Sequence, residues 1–292
     1  MAEELLCLDP FAPVGGRREA AADGACCFWD ATPGWGAGSG WLLVHGFGGD
    51  GADFEAWAAA CPSLPERRAI SLPDHGPAMR PSEGWEDFPA AVWAALPAMR
   101  RPLLIGYSMG ARVALAAALQ VQEALSGLVL ISGSAGLRTE AERAQRGEDD
   151  AAWAALLRSR GMAAFEARWQ AQPVIASRAQ IPAPWRERWL TRRLHQSAGA
   201  LACALEHGGT GAMPDLWPAL HALELPVHLV VGEEDTKFRV VAAALDAALP
   251  HSHVDVVQGA GHACHVEAPE AFVRLMLRRW APAEEGWVWT RA

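Results

Sequence analysis

The chain has 292 residues, of which 51% are hydrophobic and 20% charged, and its net charge is −9. A chain of that length and balance buries a large core without staples, and the composition excludes a disordered polymer. The acidic excess excludes a general nucleic-acid surface, which needs a basic one, but leaves room for a local basic pocket.

Elements follow one another in a regular order. WLLVHG (41–46) is a short apolar run that leads into HGFGG (45–49) and reads as a buried strand. RAISLP (68–73) and PLLIGY (102–107) read the same way. The latter runs straight into G-Y-S-M-G (106–110) and an alanine-rich helical pattern from Met109 to Gln122. GLVLIS (127–132) is a fourth strand. From about Ser134 to Trp217 strand patterns stop. DDAAWAALLRSRGMAAFEARWQ and PAPWRERWLTRRLHQSAGALACALEHG are helical there, punctuated by Pro173, Pro182, Pro184 and Pro214. VHLVVG (227–232), a helix from Lys237 to Ala248, HVDVVQ (253–258) and a helix from Pro269 to Trp280 complete the series.

Strand and helix alternating in this way predict an α/β fold with a mostly parallel central sheet flanked by helices. The expected organisation is a core of residues 1–133 and 218–292 with a helical cap, 134–217, inserted over the C-terminal edge of the sheet. Open α/β sheets bind ligands at that edge. No run of 18 apolar residues exists, and the N-terminal MAEELLCLDPF carries acids where a secretory signal carries bases. Six cysteines are scattered without a C-x-x-C pair. A soluble cytoplasmic protein without membrane or nucleic-acid partners is expected.

Gly106-Tyr107-Ser108-Met109-Gly110 fits G-x-S-x-G, in which a strand turns sharply into a helix and leaves a strained serine with its hydroxyl exposed. A hydroxyl is a poor base or nucleophile at neutral pH, so it needs an imidazole oriented by a carboxylate. VHLVVGEEDTKF puts Asp235 just past one strand, and VVQGAGHACHVEAPEAF puts His262 just past the next. Glu233 and Glu234 compete for the acid role, His265 competes with His262, and Asp235 also suits a helix N-cap. The GAGH turn favours His262, so the expected triad is Ser108, Asp235 and His262. The backbone N–H groups of Phe47 and Met109 are the expected oxyanion hole, each such donor contributing about 3 kcal/mol. His45 either holds that loop in shape or is an ordinary buried histidine. His251, His253, His262, Cys264 and His265 cluster in sequence, but H-x-H and H-x-C-H match no standard zinc spacing, and no metal is expected.

Taken together and in this order, the elbow, the HGFGG loop, the PDHG turn (73–76), the GEED loop and the GAGH loop resemble the α/β-hydrolase superfamily. SLPDHGPA departs from its common D-L-P-G-H-G pattern, with Ser71 and Asp74 in place of aspartate and glycine, which affects local loop shape more than chemistry. GYSMGAR, QPVIAS (172–177), GTGAMPDLW (209–217), GEEDTKF (232–238) and GAGHACHVEAPEAF (259–272) are similar to the MenH family. These are the 2-succinyl-6-hydroxy-2,4-cyclohexadiene-1-carboxylate synthases of menaquinone biosynthesis. Ala111 stands where that family usually has glycine. The resemblance implies a carbon–oxygen lyase that needs no cofactor. It eliminates pyruvate from 2-succinyl-5-enolpyruvyl-6-hydroxy-3-cyclohexene-1-carboxylate, with the triad as the base. It also implies that Arg112, Arg146 and Arg193 face inward to grip a small polycarboxylate, with Tyr107, Trp169 and Gln172 shaping the pocket.

The charge pattern bears on that set. Arg138 to Arg193 holds eleven arginines and seven acids, a positive excess in an acidic chain. Arg112, one turn into the helix after the serine, faces either the site or solvent, and the cap's excess favours the site. Guanidinium groups pair bidentately with carboxylates. Trp169 has an ordinary core role as its alternative. Of 25 basic residues only Lys237 is a lysine. Two other functions use the same elbow: a serine hydrolase of esters, thioesters or C–C bonds with Ser108 as nucleophile, and a non-catalytic binding protein of hydrolase fold. The sequence does not set the oligomeric state.

Overall fold

The computed structural model describes residues 17–20, 26–30, 40–61, 64–76, 80–283 and 286–290. Its main sheet contains β1 (Arg17–Ala20), β2 (Cys26–Asp30), β3 (Trp41–Val44), β4 (Arg67–Ile70), β5 (Leu103–Tyr107), β6 (Gly127–Ile131), β7 (Val227–Gly232) and β8 (Ser252–Val257). The strand order is β1-β2-β4-β3-β5-β6-β7-β8. From β4 to β8 every pairing is parallel, while β1 and β2 join antiparallel at one edge. The central strands β3, β5, β6 and β7 are buried at every residue, as continuous apolar runs covered on both faces must be. Alternation along β3 sends Leu42 and Val44 to one face of the sheet and Trp41 and Leu43 to the other.

The helices are α1 (Glu55–Ala60), α2 (Asp87–Ala95), α3 (Met109–Val121), α4 (Glu140–Trp169), α5 (Pro173–Ala176), α6 (Ala183–Leu194), α7 (Ala198–Gly208), α8 (Thr236–Ala248), α9 (Cys264–Glu267) and α10 (Pro269–Arg279). On one face, Phe88 of α2, Val113 and Leu115 of α3 and Leu245 of α8 join Leu42 and Leu104 in one core. On the other, Trp57 of α1 and Phe272 and Met276 of α10 join Trp41 and Ile105. No described helix is long and apolar enough to cross a membrane.

The last predicted helix stops one residue early. Trp280 opens a hairpin, β9 (Trp280–Ala283) with β10 (Gly286–Trp289). Its ring is fully buried, and its indole N–H donates to His228 Nδ1 at 3.4 Å. Burying that large ring at the sheet prevails over continuing the helix.

β6 ends at Ile131 and β7 begins at Val227, and the chain between them is helical or irregular throughout. α4 starts with a capping box in which Thr139 and Glu142 satisfy each other's backbone N–H. It breaks at Gly161, where φ is 72° and ψ is −176°. Leu157 and Phe165 of α4 pack on Leu201 and Leu205 of α7 as a small separate core. α6 clips this helical layer to the loop after β3. Arg192 lies 3.3 Å from Asp50 and 3.1 Å from Asp53, and Arg188 lies 3.1 Å from Glu55.

Candidate active site

The sharp turn expected at the serine is present. β5 ends at Tyr107, α3 begins at Met109, and Ser108 between them has φ 52° and ψ −108°. A non-glycine residue at positive φ is uncommon and costs on the order of 1 kcal/mol. The turn is tight enough to demand both glycines. A Cβ on Gly106 would run into the Gly110 carbonyl, and one on Gly110 into the carbonyls of Val44 and His45. The Ser108 N–H is held by the Ile131 carbonyl at 2.9 Å, which aims the hydroxyl out of the sheet's C-terminal edge.

His262 meets that hydroxyl. Its Nε2 lies 3.1 Å from Ser108 Oγ, and its Nδ1 lies 2.7 Å from Asp235 Oδ2. Asp235 contacts both His262 and α8, since its other oxygen, Oδ1, accepts the Phe238 N–H at 3.3 Å and caps α8. Glu233 accepts instead from the Gly259 N–H and Glu234 from Gln180. His265 is buried against the Tyr107 ring, with centroids 4.2 Å apart. Burial holds the His262 pKa below its ordinary value, although the Asp235 carboxylate pulls the other way. The neutral imidazole then donates from Nδ1 to Asp235 and accepts from Ser108 at Nε2.

The loop after β3 supplies the neighbouring wall. His45 does hold it, as one of the two readings expected. Its Nδ1 donates to the Gly46 carbonyl at 2.8 Å and its Nε2 accepts the Leu72 N–H at 3.0 Å. Burial lowers the pKa of this ring, so it stays neutral and bridges two loops. Phe47 and Met109 both line the cavity above Ser108. Met109 is the first residue of α3, so its N–H has no partner within the helix. In the departing SLPDHGPA loop, Asp74 adopts φ 62° in the place of a glycine and accepts from the backbone and hydroxyl of Ser82. Aspartate tolerates that region better than most residues.

A cavity of about 440 Å³ opens over the serine. Arg112, Arg146, Trp169 and Gln172 are all on its wall, as are Ser108 and His262. Arg112 is buried and donates to the Gly208 carbonyl at 3.1 Å, and among the described residues no carboxylate lies within ion-pair distance of it. Burial, reinforced by the nearby Arg146 charge, pushes its pKa down to about 10. Arg146 already pairs with Asp150 at 2.8 Å. The Trp169 indole N–H is buried without a partner.

Two of the expected pocket residues stand elsewhere. Tyr107 lies behind the cavity wall, its hydroxyl accepting from Arg178 at 3.1 Å, and Arg193 is buried in an ion pair with Glu166 at 2.9 Å. Arg193 donates in addition to the Phe47 carbonyl. In their place the wall carries Arg168 and Lys237, neither of which the sequence motifs single out as cavity residues. Arg168 is one of many arginines in the segment between β6 and β7, and its guanidinium lies 5.3 Å from the Trp153 ring centroid.

The alpha/beta hydrolase family pattern matches residues 41–275. A 2-succinyl-6-hydroxy-2,4-cyclohexadiene-1-carboxylate synthase of Citrobacter koseri is 35% identical over 241 residues, 81% of this chain and 92% of its own. The chain belongs to the MenH family of alpha/beta hydrolases. The solved MenH structure from S. aureus agrees, at a TM-score of 0.77 and 30% identity over 82% of this chain and 92% of that one. A thermophilic esterase from Thermogutta terrifontis superposes at a TM-score of 0.73 with 23% identity, covering 90% of this chain and 97% of its own, a likeness of fold alone.

Proposed function

We propose that this MenH-family enzyme is a 2-succinyl-6-hydroxy-2,4-cyclohexadiene-1-carboxylate synthase, a carbon–oxygen lyase of menaquinone biosynthesis. One observation carries the choice of ligand. The cavity over Ser108 contains a buried guanidinium, Arg112, with no carboxylate against it among the described residues. A buried unpaired charge is costly, and a ligand carboxylate relieves that cost. An enzyme for neutral esters has no use for such a group.

In the proposed reaction the Ser108 Oγ removes the ring proton beside the succinyl ketone as its own proton passes to His262 Nε2. Asp235 stabilises the imidazolium that forms. The electron pair enters the ketone oxygen, where the Phe47 and Met109 N–H groups receive it. It then returns through the ring and breaks the C–O bond to the enolpyruvyl group, which takes up a proton and leaves as pyruvate. Arg112 and Arg146 orient the substrate by its carboxylates, with Trp169 and Gln172 as the apolar and polar sides of the wall. Positioning of this kind lowers a barrier by several kcal/mol. The steps need no metal or cofactor. A cytoplasmic setting suits the reduced thiols Cys61, Cys203 and Cys264.

A coupled assay for pyruvate release from the freshly made enolpyruvyl substrate tests the reading. The serine-hydrolase alternative keeps one support, because a hydroxyl 3.1 Å from an imidazole also suits a nucleophile. Faster turnover of p-nitrophenyl acetate than of the enolpyruvyl substrate would select it.

A further inference from the structure

The chain uses arginine for 24 of its 25 basic residues, and its single lysine, Lys237, stands on the wall of the active-site cavity. Lys237 is the second residue of α8, two positions past Asp235, which caps that helix. Its Nζ lies 5.7 Å from the Phe238 ring centroid, and that ring lies 4.6 Å from the His262 imidazole. Phe238 therefore packs against both the ammonium and the reacting imidazole.

Among the described residues, no carboxylate lies within ion-pair distance of Lys237, in a chain with more acids than bases. Four cations, Arg112, Arg146, Arg168 and Lys237, share the cavity wall with one carboxylate, Asp149. Arg146 is already engaged by Asp150. Arg112 is buried in the helix after the serine and Arg168 comes from α4, whereas Lys237 is exposed, on α8, beside the phenylalanine whose ring packs on His262. An ammonium also differs in kind from its neighbours. It is a compact point charge on a flexible stem with three rotatable donors, and it follows a carboxylate without imposing the planar fork of a guanidinium.

We propose that Lys237 is a substrate-binding residue, taking a second ligand carboxylate, distinct from the one at Arg112, on the His262 side of the cavity mouth. The proposal deepens the polycarboxylate reading above and rests on it.

Full-length Lys237→Met, Lys237→Glu and Lys237→Arg variants test it through the split between KM and kcat. Loss of one charge-assisted hydrogen bond is expected to raise KM for pyruvate release about tenfold in Lys237→Met, and further in Lys237→Glu. Lys237→Arg should recover part of that loss, with kcat within about threefold of wild type throughout. A merely solvated lysine would leave KM within about twofold in all three, and that result overturns the proposal. A second readout does not depend on turnover. An N-hydroxysuccinimide acetate ester has one lysine side chain to label, and peptide mass spectrometry gives its rate. The stable keto-dicarboxylate 2-succinylbenzoate should slow labelling of Lys237 at least about fivefold, and unchanged labelling overturns the assignment. Protection in a protein that releases no pyruvate would uphold Lys237 while removing the synthase reading.

Discussion

Arg193 Nε lies 3.0 Å from both carboxylate oxygens of Glu166, and the same guanidinium donates to the Phe47 carbonyl at 2.9 Å. This buried pair between α4 and α6 thus holds the loop whose N–H faces the reacting oxygen in the proposed mechanism. Gly48 makes the approach possible, since a Cβ there would lie within the guanidinium. Burial tends to raise the Glu166 pKa, but Arg193 prevails and holds it below the usual carboxylate range.

Breaking the pair should therefore act on stability and on kcat. Arg193→Met removes the ion-pair partner of buried Glu166, leaving it the Gln170 hydrogen bond and the more distant Arg178 charge, at a cost of about 3 kcal/mol. Urea unfolding should show that loss, and kcat should fall with the loosened Phe47 loop. A raised KM with undiminished stability would instead mean that Arg193 meets the substrate directly.

Arg112 behaves in the opposite way. Arg112→Met removes a buried charge without stranding a carboxylate, so stability should change by less than about 1 kcal/mol, in either direction. KM should rise by roughly a hundredfold, the loss of a bidentate contact to an anion. Thermal melts and initial rates check both, and a large fall in melting temperature would make Arg112 a structural residue.

The pH profile follows from His262. Burial lowers its pKa, so the neutral, proton-accepting form persists below pH 6.5. The acid limb of kcat/KM should have its midpoint below pH 6.5, with activity lost as pH falls through it. The sign for stability is the same. The unfolded imidazole takes up a proton near pH 6.5 and the buried one does not, so this residue disfavours the folded state as pH drops further. A midpoint above 6.5 in the rate profile would show that Asp235 outweighs burial.

The elbow separates chemistry from folding in two substitutions. Ser108→Ala should lower kcat at least about a thousandfold and leave the melting temperature close to wild type. Gly110→Ala should fail to give soluble protein, because its new methyl group falls on the Val44 and His45 carbonyls. Expression yield and circular dichroism decide the second.

Of the six parallel strands, β3, β5, β6 and β7 were legible as buried apolar runs, and β4 and β8 as short apolar-rich stretches bounded by turn residues. β1 and β2 were not, for different reasons: RREA has no apolar run, whereas CCFW is apolar but short and stands apart from the alternating series of strands and helices. The contacts among Ser108, Asp235 and His262 could be read for a local reason, as each sits on a short loop whose glycines or flanking strand restrict its shape. The arginines had no such local signature. Whether Arg193 or Arg168 turns toward the cavity depends on how α4 and α6 pack, and nothing within either helix encodes it. Tyr107 adjoins the serine in sequence, yet strand alternation packs its ring into the core on the α1 and α10 face, 4.2 Å from His265 and 5.5 Å from His262, and not on the cavity wall. Lys237 carried a signal in its rarity, but rarity gives no direction.

The helical segment leaves the sheet after β6 and returns at β7. The groups proposed to move protons, together with Arg112 and Lys237, are thus encoded outside that stretch, and most of the remaining cavity wall is encoded within it. Selection can therefore revise the one with little penalty to the other. On that view, descendants of one ancestral scaffold could change what they accept long before they change what they do to it.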